Sequence, residues 1–273
     1  MDSSVCSSGF DVPPEYALLV IDMKGYSQIP EAKMAPVRSD LDDILATVLA
    51  QSGLDEPRED QGAYKDTGDG AILVFPAHTV SRLVDPLLGH LNAALVRYER
   101  DRLKNAPAIR LRVSVHVGPL SLPDHRGDAI NEACRLINSH AARQAMSTAT
   151  DSGSFLAAVL SETAYRRTVR AARTPNLSQQ HFLQAMARVS DKPDFEEPCR
   201  LHVPGLLAQA LRPCIDGAAA PAPHPPADTT EHSNAGPAAA TAGNGPSFLF
   251  TGTLYDPTVA GSIETLRIDR RQR

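Results

Sequence analysis

The chain has 273 residues, a hydrophobic fraction of 42% and a net charge of −5, which leaves room for one medium domain plus extras or for two small ones. It has no Trp and only 5% aromatics, so its core is mostly aliphatic. The acidic balance argues against a nucleic-acid binder, which needs clustered Lys and Arg, and no apolar stretch approaches the ~20 residues of a membrane span. Met1 to Phe10 is polar and has no apolar signal core. The one basic cluster, Arg267, Arg270, Arg271 and Arg273, reads as a solvated end. Cys6, Cys134, Cys199 and Cys214 are widely spaced with no CxxC, as expected of free thiols in a reducing cytoplasm.

Residues 1–14 read as a disordered leader ending in Pro13-Pro14. Tyr16 to Ile21 is a continuous apolar run, the pattern of a strand buried on both faces. Leu41, Ile44, Leu45, Val48 and Leu49 recur at helical spacing, so a helix is predicted over about 36–52, stopped by Gly53. Ala71 to Phe75 is a second strand. One long helix follows, with Val84, Leu87, Leu88, Leu91, Leu95 and Tyr98 on one face. In Arg110 to Val117, apolar Leu111, Val113, Val115 and Val117 alternate with Arg112, Ser114 and His116, which predicts a strand with one polar face, ended by Gly118-Pro119. A helix over about 128–145, a strand over Phe155 to Leu160, a helix capped by Ser161 and closing strands at Phe182 to Val189 and Arg200 to Val203 complete the pattern. From Gly217 to Pro246 the composition turns to Ala, Pro, Gly, Thr and Ser, a linker without a core. The alternation of strands and helices indicates an α/β sandwich with helices packed on a sheet.

Two acidic motifs stand where apolar strands meet glycine turns: Asp22 in Val20-Ile21-Asp22-Met23-Lys24-Gly25-Tyr26-Ser27, and Asp69 in Lys65-Asp66-Thr67-Gly68-Asp69-Gly70. A lone Asp-Gly is usually a hairpin turn. Two aspartates in matching contexts point instead to a shared pair of divalent ions, the usual means of handling triphosphates. Gly25 lets the backbone approach a ligand, and the amides of Lys24 to Ser27 are candidates to hold phosphate oxygens. In Gly127-Asp128-Ala129-Ile130-Asn131-Glu132-Ala133-Cys134-Arg135, Asn131 and Arg135 share one helix flank. There they are either plain surface residues or stabilisers of charge on a phosphoryl group in transit.

These motifs resemble those of the class III nucleotidyl cyclases, the adenylyl and guanylyl cyclase homology family. Asp22 to Ser27 is similar to the family's first metal motif and Lys65 to Asp69 to its second. Arg112-Val113-Ser114-Val115-His116-Val117-Gly118-Pro119 and Gly127 to Arg135 resemble two further motifs, in the family's order, over about residues 16–204. The resemblance implies a ferredoxin-like α+β catalytic domain (15–212) that acts as a head-to-tail homodimer. It implies that Asp22, Asp69 and the Met23 carbonyl hold two Mg²⁺ or Mn²⁺ ions, with substrate contacts from Gly25, Tyr26 and Ser27. Asn131 and Arg135 of the other subunit would hold the ribose and the α-phosphoryl group, and Lys192 the terminal phosphates. Lys65 matches the position that reads the base, with its partner near Asp124.

The short segment Leu120 to Arg126 also resembles the bacterial pyrimidine cyclases of Pycsar anti-phage systems, with Tyr64 and Lys65 flanking a small base. A UTP or CTP cyclase is preferred on this ground to an adenylate or guanylate cyclase. A catalytically inactive nucleotide sensor or scaffold is the alternative from another class. A hydrolase or polymerase using the same carboxylates is disfavoured by the Asn131/Arg135 pair. After the linker (213–246), residues 247–273 are β-prone. Phe248 to Leu266 resembles the short amyloid-type signalling motifs of bacterial immune proteins, which implies an effector engaged through this segment, unless it is a strand that folds back on the domain.

Overall fold

The computed structural model describes residues 12–57 and 62–216; the leader to residue 11, most of the linker and the β-prone tail lie outside the described residues. Seven strands, β1 (Glu15–Met23), β2 (Tyr64–Asp66), β3 (Gly70–Pro76), β4 (Leu111–Pro119), β5 (Leu156–Ser161), β6 (Leu183–Val189) and β7 (Lys192–His202), form one mixed sheet in the order β2-β3-β1-β4-β5-β7-β6. Among these strands only β4 and β5 run parallel. Among the described residues seven α-helices flank the sheet: α1 (Glu31–Gln51), α2 (Val80–Val84), α3 (Leu87–Asp101), α4 (Asp128–Asn138), α5 (His140–Asp151), α6 (Glu162–Arg167) and α7 (Ala208–Asp216). This is the predicted mixed α/β architecture of a sheet covered on both faces.

Strand β1 is central, and its apolar run is buried on both sides because side chains alternate across the pleat. Leu19, Ile21 and Met23 enter the core shared with α1, α2 and α3, while Leu18 and Val20 pack with Ala129, Ala133 and Ile137 of α4. The same alternation sends Asp22 to the α4 side. A third cluster lies under α5 and α7 around Leu201, Val203 and Leu211.

Several elements differ from the expectation. Helix α1 starts at Glu31, five residues before the predicted start, and carries Pro36 inside it. The single long helix after β3 is two helices, interrupted at Asp85-Pro86, since proline cannot supply the N–H that continues the ladder. The predicted helix over 128–145 also divides. Ser139 takes an extended backbone conformation and its hydroxyl accepts from the Ala142 amide, capping α5. Strand β4 continues through Gly118 to Pro119, paired with Glu15. Its polar side is covered: Ser114 and His116 are buried under α4, where Ser114 Oγ donates to the Ala133 carbonyl at 2.8 Å. Strand β2, absent from the sequence reading, pairs with β3, and β7 begins at Lys192. The cap at Ser161 is as predicted, accepting from the Ala164 amide at 3.1 Å.

Candidate functional site

Asp22 is the last residue but one of β1, opposite Gly70 of β3 and Arg112 of β4. The β2–β3 hairpin turns through Thr67-Gly68-Asp69, and the Met23 amide donates to the Asp69 carbonyl at 2.9 Å. This bond brings the two motif aspartates to one cleft of about 410 Å³, lined also by Gly25, Tyr26, Ser27 and Arg112. Gly70 is obligatory here, because a Cβ on it would lie 1.9 Å from the Ile21 carbonyl oxygen. Gly25 has φ +76°, the left-handed conformation that glycine adopts freely, and it precedes a short 3-10 turn over Tyr26–Gln28. The Lys24 amide is already donated to the Arg110 carbonyl at 2.8 Å, so the expectation that it holds phosphate is corrected.

Burial pushes the Asp22 carboxyl above its usual range; the Arg112 guanidinium opposes this, and the nearby Asp69 carboxylate reinforces it. Arg112 Nε and Nη2 lie 2.8 and 2.6 Å from Asp22 Oδ2. Among the described residues no group of three or more His, Cys, Asp or Glu side chains is arranged to hold a metal. The donor set is instead two carboxylates at an open cleft. Such hard oxygen donors suit Mg²⁺ or Mn²⁺, which keep several ligand positions for water and phosphate oxygens. The Met23 side chain is buried in the core, so only its main chain can face the cleft.

The helix α4 residues lie elsewhere in the chain. Arg135 and Lys192 line a second cleft of about 410 Å³ with Glu132, Asp191, Asp194 and Glu197, and the Arg135 guanidinium sits 5.4 Å from the centre of the Phe195 ring. Asn131 is exposed on the same helix. Behind them, His116 Nε2 is 3.3 Å from Glu132 Oε2 and His116 Nδ1 has no partner. Burial first, and then the charge of Arg167, push the His116 pKa down to about 4, so this imidazole is neutral at pH 7.

The segments that carry the two proposed base-reading residues touch: a Cβ on Gly62, three residues before Lys65, would lie 2.6 Å from the Cα of Pro123, next to Asp124. Asp124 is exposed in the tight turn closed by the Ser121–Arg126 bridge, with Arg126 Nη2 3.4 Å from its carboxylate. Lys65 is exposed on β2 and its charge reaches the Cys134 thiol of α4. Tyr64 packs on the opposite, α1 side of the sheet, where its hydroxyl accepts from Arg38 at 2.9 Å. Adjacent strand residues point to opposite faces, so Tyr64 and Lys65 do not flank one ligand. Arg112 and Arg38 received no role in the sequence reading. The available signal for Arg112 was its place on the same polar side of β4 as Ser114 and His116.

No family model and no curated protein matches the chain. Solved structures that it resembles include an adenylate/guanylate cyclase/hydrolase from Silicibacter pomeroyi, at 22% identity over 70% of this chain and 98% of that one (TM-score 0.47). A bacterial light-regulated adenylyl cyclase is 14% identical over 74% and 98% (TM-score 0.45). The guanylyl cyclase domain of the RhoGC fusion protein from the aquatic fungus Blastocladiella emersonii is 12% identical over 70% and 97% (TM-score 0.44). No described helix is long and apolar enough to cross a membrane.

Proposed function

We propose that the chain is a nucleotidyl cyclase that converts a nucleoside triphosphate to a 3′,5′-cyclic monophosphate and diphosphate, acting as a head-to-tail homodimer. The observation that carries this reading is the division of the motif residues between two clefts. Asp22 and Asp69 share one, whereas Arg135 and Lys192 share another on the same protomer. A two-fold dimer that apposes the first cleft of one subunit with the second cleft of its partner completes two identical sites.

In this reading Asp22, Asp69 and the Met23 main chain hold divalent cations. When bound, those ions neutralise phosphate charge and acidify the 3′-hydroxyl. The 3′-oxygen bonds to the α-phosphorus as the bond from that phosphorus to the bridging oxygen breaks; the hydroxyl proton is lost and diphosphate departs. Arg135 and Asn131 of the second subunit stabilise the charge that builds on the α-phosphoryl oxygens and orient the ribose. Lys192 anchors the terminal phosphates. Arg112 balances the Asp22 charge when no cation is bound.

The tight 120–126 turn supports a small base, UTP or CTP, with a purine as the alternative. A cyclic UMP or CMP product would favour an anti-phage signalling role. A second reading, a cyclase-fold nucleotide sensor or signalling scaffold without turnover, is favoured by the acid-rich surroundings of Arg135 and Lys192, where Glu132, Asp191, Asp194 and Glu197 count against Lys192 as the anchor of the terminal phosphates that turnover needs. The test is incubation of the purified chain with ATP, GTP, CTP or UTP and Mn²⁺, with products identified by mass spectrometry. One cyclic monophosphate supports the enzyme and names the base. Nucleotide binding without any product supports the sensor.

A further inference from the structure

Asp69 sits at a hairpin tip, and an isolated two-stranded tip does not hold a side chain in register by itself. Its carbonyl is tied to β1 through the Met23 amide. The other tie comes from α1. Arg38 is 8% exposed, and its Nη2 alone reaches three points around the turn. It donates to Tyr64 Oη at the start of β2 at 2.9 Å and to the Gly70 carbonyl at the start of β3 at 3.1 Å, and it lies 3.5 Å from Asp66 Oδ1 at the end of β2. Asp66 Oδ1 in turn accepts from the Gly68 amide at 2.7 Å, inside the turn. Nη1 of the same guanidinium is held by Asp42, one turn further along α1. Asp69 is thus bracketed: the residue before it is bonded to Asp66, the residue after it to Arg38, and Arg38 faces Asp66. The planar fork of Arg supplies these directions from one rigid group, which a lysine cannot do. The Gly70 carbonyl also accepts from the Thr67 amide at 3.2 Å, so losing Arg38 does not leave that oxygen without a partner.

We propose that Arg38 is a positioning residue for Asp69, locking the β2–β3 turn so that the Asp69 carboxylate stays opposite Asp22. The proposal rests on the reading of Asp22 and Asp69 as a cation site. It does not depend on what reaction that site performs.

The test is direct binding of Mn²⁺ to the full chain, followed by electron paramagnetic resonance, for wild type, Arg38→Met, Asp69→Asn and the double variant. Arg38→Met is expected to weaken Mn²⁺ binding by about tenfold, as loss of a group that orients a metal ligand does, and Arg38→Lys to recover only part of it. In the Asp69→Asn background, Arg38→Met is expected to have almost no further effect, because the residue it positions is gone. A merely structural role for Arg38 would lower the melting temperature in both backgrounds and leave the two effects on Mn²⁺ additive. Full additivity, or wild-type Mn²⁺ affinity in Arg38→Met, overturns the proposal. Should Arg38→Met fail to fold, Tyr64→Phe removes one of its acceptors, and unchanged Mn²⁺ affinity there overturns the proposal equally. A wild-type chain that takes up no Mn²⁺ overturns the cation site and the proposal with it. Normal Mn²⁺ binding without any cyclic product would end the cyclase reading alone.

Discussion

Asp22 and Arg112 stand directly opposite each other in the β1–β4 ladder, and their side chains meet with Arg112 Nη2 2.6 Å from Asp22 Oδ2. Both side chains are less than one fifth exposed. Replacing Arg112 by Met leaves a mostly buried carboxylate beside Asp69 with no cation to balance it. The metal-free variant should lose about 1–3 kcal/mol of stability in denaturant titration, the cost of an orphaned buried partner, and Mn²⁺ should restore part of the loss.

The Asp22 carboxyl is raised by burial, and Asp69 adds to the shift while Arg112 opposes it. An acid whose folded pKa exceeds its unfolded one binds its proton more tightly when folded, so its contribution to stability falls as pH rises through that window. Asp69→Asn removes one cause. Without metal, this variant should melt above wild type at neutral pH, by a margin worth up to about 1 kcal/mol. The gap should close as the pH is lowered towards the ordinary Asp range.

His116 and His202 are both buried and both have pKa values pushed down to about 4, burial being the main cause in each. The His202 Nδ1–H donates to the His181 carbonyl at 3.0 Å, and the ring stacks on Phe182. Protonation is favoured in the unfolded chain, where His titrates near 6.5. Stability should therefore be lost as pH falls from about 6.5 towards 4. Thermal melts across that range should show this slope, and His116→Gln should flatten it.

In the proposed head-to-tail dimer each site takes one cleft from each subunit, so inactive variants of the two clefts should complement each other. Asp69→Asn and Arg135→Ala, each without turnover, should recover roughly a quarter of wild-type activity when unfolded and refolded together in equal amounts, through mixed dimers with one intact site. Absence of recovery, with mixed dimers demonstrated by mass spectrometry, would sink the shared-site arrangement.

Gly70→Ala should be among the most damaging single-methyl changes in the chain. Its Cβ would overlap the Ile21 carbonyl of the central strand, and backbone cannot rotate aside as a long side chain can. A loss of about 3 kcal/mol or more is expected, measured by urea denaturation, together with loss of Mn²⁺ binding.

The buried strands and the strand-end aspartates were legible because apolar runs and glycine turns are local signals. What was not legible depends on contacts from afar. The break at Asp85-Pro86 was hidden by helical spacing that continues from Val84 to Leu87 and Leu88 across it. Ser139 looks like any polar residue on a helix until its hydroxyl is seen capping α5. Ser114 and His116 read as a polar face, and only the packing of α4 shows that face to be covered. At the site, the two aspartates could be named, but the Asp22–Arg112 pairing needs the register of β4. Likewise, the opposed directions of Tyr64 and Lys65 need strand β2, which at three residues is too short to announce itself.

The central place of β1 has a kinetic side. Asp22 acquires Asp69 through its β3 neighbour and Arg112, 90 residues away in sequence, through its β4 neighbour. Such distant pairings are slow to form, since the chain must first close long loops. A folding intermediate that lacks either neighbour has half a cleft and no hold on a cation. On the proposed reading of Asp22 and Asp69 as a cation site, divalent ions would select the fully paired chain over every earlier species, and the unfolding midpoint would climb with their concentration by mass action.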